Sequence, residues 1–241
     1  RTVYAAGLNL KIIISSCPLG QAAGPACGIT VATAPSPFPA VLWIQATMHA
    51  GLFPTVRSLK NMQNNKGTCT RIPHHTILAD MGDFKDWHKG RTRYCVWMYR
   101  LDDEAITQKL THLAAAISTA LGTAPIHHFH VTLFASGFLS NSIRYNDDIT
   151  PDTIDRQIDA AKALPHTQPR LVMTGLEANA YGIFITLEDQ SATTDKISNA
   201  LAHISGEVPR DSFMPHITLG SYLQAHPLAQ VQAILKTLPV P

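Results

Sequence analysis

The sequence predicts a two-lobed domain of mixed strands and helices, and three observations carry that expectation. After residue 80, apolar β-branched runs alternate with stretches of helical period. The stretch YCVWMYRLDDEAITQKLTHLAAAI, from Tyr94, is similar to YGIFITLEDQSATTDKISNALAHI, from Tyr181. Each copy runs on into nearly the same phrase, HVTL at 130–133 and HITL at 216–219. One strand–helix–strand unit used twice implies two lobes related by a pseudo-two-fold, with their grooves merging into one central cleft.

The elements follow in order. YCVWMYRL (94–101) is aromatic and β-branched and reads as a strand. Asp102 and Asp103 then cap a helix. Its apolar positions Leu110, Leu113, Ile117 and Leu121 share one face, and Gly122 ends it. HFHVTLF (128–134) is the next strand. Thr150 before Pro151 opens a helix over 150–164. RLVMTGLEA (170–178) and YGIFITLE (181–188) read as strands, and SATTDKISNALAHI (191–204) as a helix. SFMPHITLGSY (212–222) is a strand, and HPLAQVQAILKTL (226–238) the last helix. In the comparison of the copies, Tyr94 aligns with Tyr181, Val96 with Ile183, Met98 with Ile185 and Asp102 with Asp189.

Composition bounds the rest. A chain of 241 residues has room for one sizeable domain or two small ones. A net charge of +2 makes no strong global field, so a nucleic acid would have to be recognised locally. All 17 acids lie from Asp80 onward, leaving residues 1–79 at +6 and the remainder at −4. This places a boundary near residue 80, with 1–80 read as an irregular extension and 81–241 as the domain. Met81 is a candidate start, in which case 1–80 is not native. The competing readings are a targeting segment and a genuine irregular extension. IISSC, ending at Cys17, faintly resembles a lipoprotein cleavage box, but Lys11 interrupts the apolar stretch before it. Cys17, Cys27 and Cys69 match no zinc spacing. The lone Cys95 points to a reducing, cytoplasmic compartment. No apolar run reaches the length of a membrane span.

The repeated phrase carries the chemistry. On a strand, residues two apart share a face. His130 and Thr132 therefore point one way, and Val131 and Leu133 the other. His216 and Thr218 repeat the arrangement. Across a cleft, two imidazoles suit proton transfer near neutral pH, one taking a proton and the other giving one. A hydroxyl beside each can hold an anionic oxygen. Together they fit attack on phosphorus with no metal or cofactor.

Two His-x-Thr-x phrases on strands, within a duplicated strand–helix–strand unit, resemble the two-histidine (2H) phosphoesterases. HVTLF and PHITLG look most like the LigT-like branch, the RNA 2′,3′-cyclic phosphodiesterases also called 2′–5′ RNA ligases. The resemblance covers roughly residues 92–238. It implies an α+β fold of antiparallel sheets flanked by helices. It also implies opening of a 2′,3′-cyclic phosphate to a monoester, with His130 and His216 catalytic and Thr132 and Thr218 on the phosphate. The family usually carries a further strand or two after the last helix. This chain ends at LKTLPVP, so the expectation is a domain cut short at its C-terminus.

Other residues rank lower. His128 shares a face with His130, but Met214 stands at the matching place in the second copy, which argues against a shared metal site. His128 is instead expected at the cleft edge, and His127 has no assigned role. Tyr222, an even step from Thr218, is expected on the site face, where it could stack on a base. Phe134 is a similar candidate or a core ring. DWHKGRTRY (86–94) is either a solvated lead-in or a segment that brings His88 or Arg91 to the phosphate. His74 and His75 read as incidental. The expected substrate is an RNA end or a small cyclic nucleotide, acted on by a monomer. The rival readings are a binding module without turnover, a metal hydrolase using the histidines, 2′–5′ ligation, and action on another cyclic phosphate.

Overall fold

The computed structural model describes residues 8–16 (backbone only), 74–79, 86–126, 128–164, 169–205 and 214–239. The readings made of Cys17, Cys27, Cys69, Met81 and His127 lie outside these residues. So does the start of the strand expected from 212.

The fold is α+β. In chain order the strands are β1 Leu8–Ser16, β2 Arg93–Leu101, β3 Thr123–Pro125, β4 His130–Leu139, β5 Asp148–Ile149, β6 Leu171–Ala178, β7 Gly182–Asp189 and β8 His216–Tyr222. The helices are α1 Glu104–Leu121, α2 Pro151–Ala163, α3 Thr193–Ser205 and α4 Leu228–Leu235. One sheet runs β1-β2-β4-β8-β7-β6, with β3 added to β8 and β5 to β4. Every pairing is antiparallel except β4 with β5.

The helix ends follow local chemistry. The Asp103 carboxylate accepts from the Ile106 N–H at 2.9 Å, and Gly122 closes α1 at φ 59°, a left-handed conformation that costs glycine little. Thr150 caps α2 ahead of Pro151. Asp189 accepts from the Thr194 N–H at 2.7 Å and its hydroxyl at 2.8 Å, tying β7 to α3.

The sheet's centre is its thinnest join. Between β4 and β8 a single pair, Val131 opposite Ile217, is in register. These are the middle residues of the two repeated phrases. Both are fully buried in one core cluster, which also takes in Leu110, Ile117, Ile185, Leu201 and Val231. The helices interlace: α1 packs on β3 and β8, whereas α3 packs on β4. Ser198 of α3 donates to the Leu133 carbonyl at 3.1 Å. The helix after β2 therefore packs on β8, and the helix after β7 on β4.

Two expectations need correction. The step of 87 residues between copies is one too many within the strands. Tyr99 stands opposite Val131 and Ile185 opposite Ile217, a step of 86, the same as between the phrases. The longer step sets Val96 against Ile183, which face opposite sides of the sheet. Strand alternation makes a one-residue slip a change of face. The boundary at residue 80 is also crossed by the fold. Leu8–Ser16 pairs along the whole of β2. Residues 74–79 are laced to the domain: Thr76 N–H donates to His226 O at 2.8 Å, Ala79 N–H to Tyr222 O at 3.0 Å, and Leu228 N–H to His74 O at 2.9 Å. The acid count reflects composition, which does not report backbone pairing. His74 and His75, read as incidental, supply backbone to this strap.

Candidate active site

His130 and His216 each open a strand, and each is held the same way. His130 Nδ1 lies 3.1 Å from the carbonyl of His128, and His216 Nδ1 lies 2.9 Å from the carbonyl of Met214. A carbonyl only accepts, so Nδ1 carries the proton in both rings. That fixes the tautomer and leaves Nε2 as the atom that takes or gives a proton. The backbone thus orients both imidazoles from the residue two places upstream.

Thr132 and Thr218 are half-buried, as are both histidines. Among the described residues neither threonine hydroxyl is engaged by another group. Carrying the Val131–Ile217 register one residue either way sets His130 against Thr218 and Thr132 against His216. Each histidine thus stands opposite the threonine of the other phrase. Burial lowers the pKa of His130. The His128 carbonyl works against that, and charge on His216 and on His128 lowers it further. The Phe184 ring leans on His216 with centroids 5.3 Å apart.

Both phrases carry the same irregularity. In β4 the register skips Leu133, so that Met98 faces Thr132 and Trp97 faces Phe134. In β8 it skips Leu219, so that Phe184 faces Thr218 and Ile183 faces Gly220. A β-bulge shifts the alternation by one residue beyond it. This overturns the placement of Tyr222. An even step from Thr218 no longer reaches the site face, and Tyr222 is fully buried in the core, its hydroxyl donating to the Asn179 carbonyl at 3.1 Å. Phe134 is a core ring for the same reason.

Residues 86–94 form neither a solvated lead-in nor a phosphate arm. They clasp the open face of β2 and β4. The Trp87 ring meets Tyr94 and Phe138 edge-on at 4.9 and 5.0 Å. Arg91 uses five donor contacts on the carbonyls of Trp87 and His88 and the carboxylates of Asp147 and Asp148. A guanidinium has five N–H groups, so none is left for a substrate. Gly137, at φ 122°, lets the chain of Asp147 close on β4, where a Cβ would clash with the Asp147 carbonyl oxygen. Burial and the Arg91 charge lower the pKa of His88.

His128 is exposed just before β4, two residues upstream of His130, and Met214 holds the matching place upstream of His216. Arg100 drew no attention in the sequence, although a lone cation near the end of an apolar strand is a signal. It stands directly opposite His130.

These shifts set a pH dependence. Burial raises the carboxyl pKa of Asp148 and Asp189. Hydrogen bonds outweigh burial in both, from Arg91, Arg144 and Tyr145 in one and from Ser191 and Thr194 in the other, and hold them below 3.8. Such groups stabilise the fold above the unfolded value and lose that contribution as pH falls through the folded one. His88 and His130 are lowered from 6.5, so the unfolded chain takes their protons first and stability falls as pH drops below 6.5. The expected result is a two-stage decline in melting temperature, shallow below pH 6.5 and steep below about 4. A His88→Gln variant should flatten the first stage.

Among the described residues no helix is long and apolar enough to cross a membrane. No protein-family model, curated protein or solved structure matches the chain.

Proposed function

We propose that the chain is a two-histidine cyclic phosphodiesterase of the 2H type, with a duplicated unit whose pseudo-two-fold axis passes between Val131 and Ile217. The observation that carries this reading is the matched pinning of His130 and His216 through Nδ1, with an unengaged threonine hydroxyl beside each. The substrate is a 2′,3′-cyclic phosphate at an RNA end or on a nucleotide, bound in the cleft between the two phrases.

In the reaction, water attacks phosphorus and its proton passes to Nε2 of one histidine. The bond from phosphorus to one ribose oxygen breaks, and Nε2–H of the other histidine protonates that oxygen. Thr132 and Thr218 donate to the non-bridging oxygens, where charge builds. No step asks for a metal. Burial and the neighbouring charge favour the neutral form of His130, which suits it to be the base, with His216 as the acid. The roles exchange in the reverse direction, as microscopic reversibility requires.

The test is incubation with nucleoside 2′,3′-cyclic monophosphates and with an oligonucleotide bearing a cyclic end, chelator present. A phosphomonoester product supports the reading. Tight binding with no product would replace it with a binding module, and loss of activity in chelator with a metal hydrolase.

A further inference from the structure

The two sides of the candidate site differ in what surrounds their histidines. Arg100 is the cross-strand partner of His130. Directly paired residues on neighbouring strands share a face, with Cβ atoms about 5 Å apart. Its chain neighbours Tyr99 and Leu101 pack into the core, which leaves Arg100 on the side of His130 and Thr132. Arg100 is paired with Asp102 through Nε, and solvent reaches both partners. Among the described residues that is its one hydrogen bond, so both Nη groups are available. Arg91, by contrast, has every donor committed.

The matching place opposite His216 is Thr186, which is buried. The Thr186 hydroxyl is already taken by Thr174 at 2.9 Å and the Gly175 carbonyl at 3.3 Å. Phe184 leans on His216, and Met214, two residues upstream of His216, is 48% exposed. One side is therefore rich in donors and the other apolar.

We propose that Arg100 is a specificity-determining residue that holds a second anionic group of the substrate, the phosphodiester next to the reacting phosphate. The proposal rests on the two-histidine reading. The reacting phosphate lies between His130 and His216. Arg100 is one strand further out, about 5 Å beyond His130 and away from His216, which places it for the phosphate next to the reacting one. The terminal base then falls on the apolar side, against Met214 and Phe184. A thioether and an aromatic ring suit a flat, polarisable partner. Arg100 thereby selects an oligonucleotide end over a mononucleotide, exchanging Asp102 for phosphate as the substrate docks.

The experiment compares adenosine 2′,3′-cyclic monophosphate with the dinucleotide ApA ending in a 2′,3′-cyclic phosphate. Wild type, Arg100→Ala and Arg100→Lys are assayed, with melting temperatures to confirm that each is folded. The expected result is a wild-type preference for the dinucleotide in kcat/KM. Arg100→Ala reduces that preference about tenfold through KM for the dinucleotide, and Arg100→Lys recovers part of it. Equal losses on both substrates, a loss confined to kcat, or an unchanged preference would overturn the assignment. Calorimetric binding of the linear monoesters of both substrates, each as the 2′- and the 3′-phosphate, asks the same question without turnover. Arg100-dependent preference in binding with no hydrolysis by wild type keeps the assignment and removes the catalytic reading. Hydrolysis of both substrates with no dependence on Arg100 does the reverse.

Discussion

Changing His130 or His216 to alanine should lower kcat by about 10²–10⁴ while leaving KM within a few-fold. Each imidazole supplies one proton transfer, and neither transfer can be skipped. The two act as a unit, so the double variant should be little worse than the poorer single one. The fold should tolerate each change. Both rings are half-buried at strand starts, and their Nδ1 contacts go to carbonyls that solvent can also reach. Melting temperatures therefore separate loss of chemistry from loss of structure. Full activity in both single variants would remove the mechanism. Chelator-sensitive activity would point to a metal held by the same residues.

The largest expected effect on stability is at Arg91. Its guanidinium binds the Asp147 and Asp148 carboxylates at 2.5 and 2.7 Å and lies 3.9 Å from the Phe138 ring centroid. The Asp148 side chain is 1% exposed. Arg91→Ala leaves that carboxylate buried beside the Arg144 and Tyr145 N–H groups with no cation. Breaking a buried pair on one side costs about 3–5 kcal/mol, measurable as a drop in urea midpoint. Lysine should not restore it, because one ammonium cannot reproduce a planar fork that spans two carboxylates and two carbonyls. Activity per folded molecule should change little. The clasp grips β4 at Phe138, about 26 Å along the strand from His130.

The five strands and four helices expected after residue 80 were legible because their signals are local; the short β3 and β5 and the low-acid β1 were not. Capping by Asp103 and Thr150, the stop at Gly122 and the apolar spacing of α1 all act within a few residues. That His130 shares a face with Thr132, and His216 with Thr218, was legible because the phrase occurs twice and strand alternation fixes its faces. Tyr222 was misplaced because a β-bulge at Leu219 leaves no mark in composition, yet reverses every face after it. The clasp was missed because its partners are distant: Arg91 meets acids more than 50 residues away, and a basic run by itself reads as solvated. The strap at 74–79 bonds through its backbone, which side-chain patterns do not reveal. The same holds for β1 along β2. Arg100 needed a register, since only the pairing of β2 with β4 sets it opposite His130.

The most direct measurement is the pH dependence of kcat/KM for hydrolysis of a nucleoside 2′,3′-cyclic monophosphate, with chelator present, in wild type and in the two single histidine variants. Wild type should give a bell. One limb reports a histidine that must be neutral, with its midpoint below 6.5 if that group is His130, and the other a histidine that must be protonated. Each variant should lose one limb along with most of its rate. A profile without limbs, or variants that keep the wild-type bell, would contradict the claim that these two imidazoles exchange the protons.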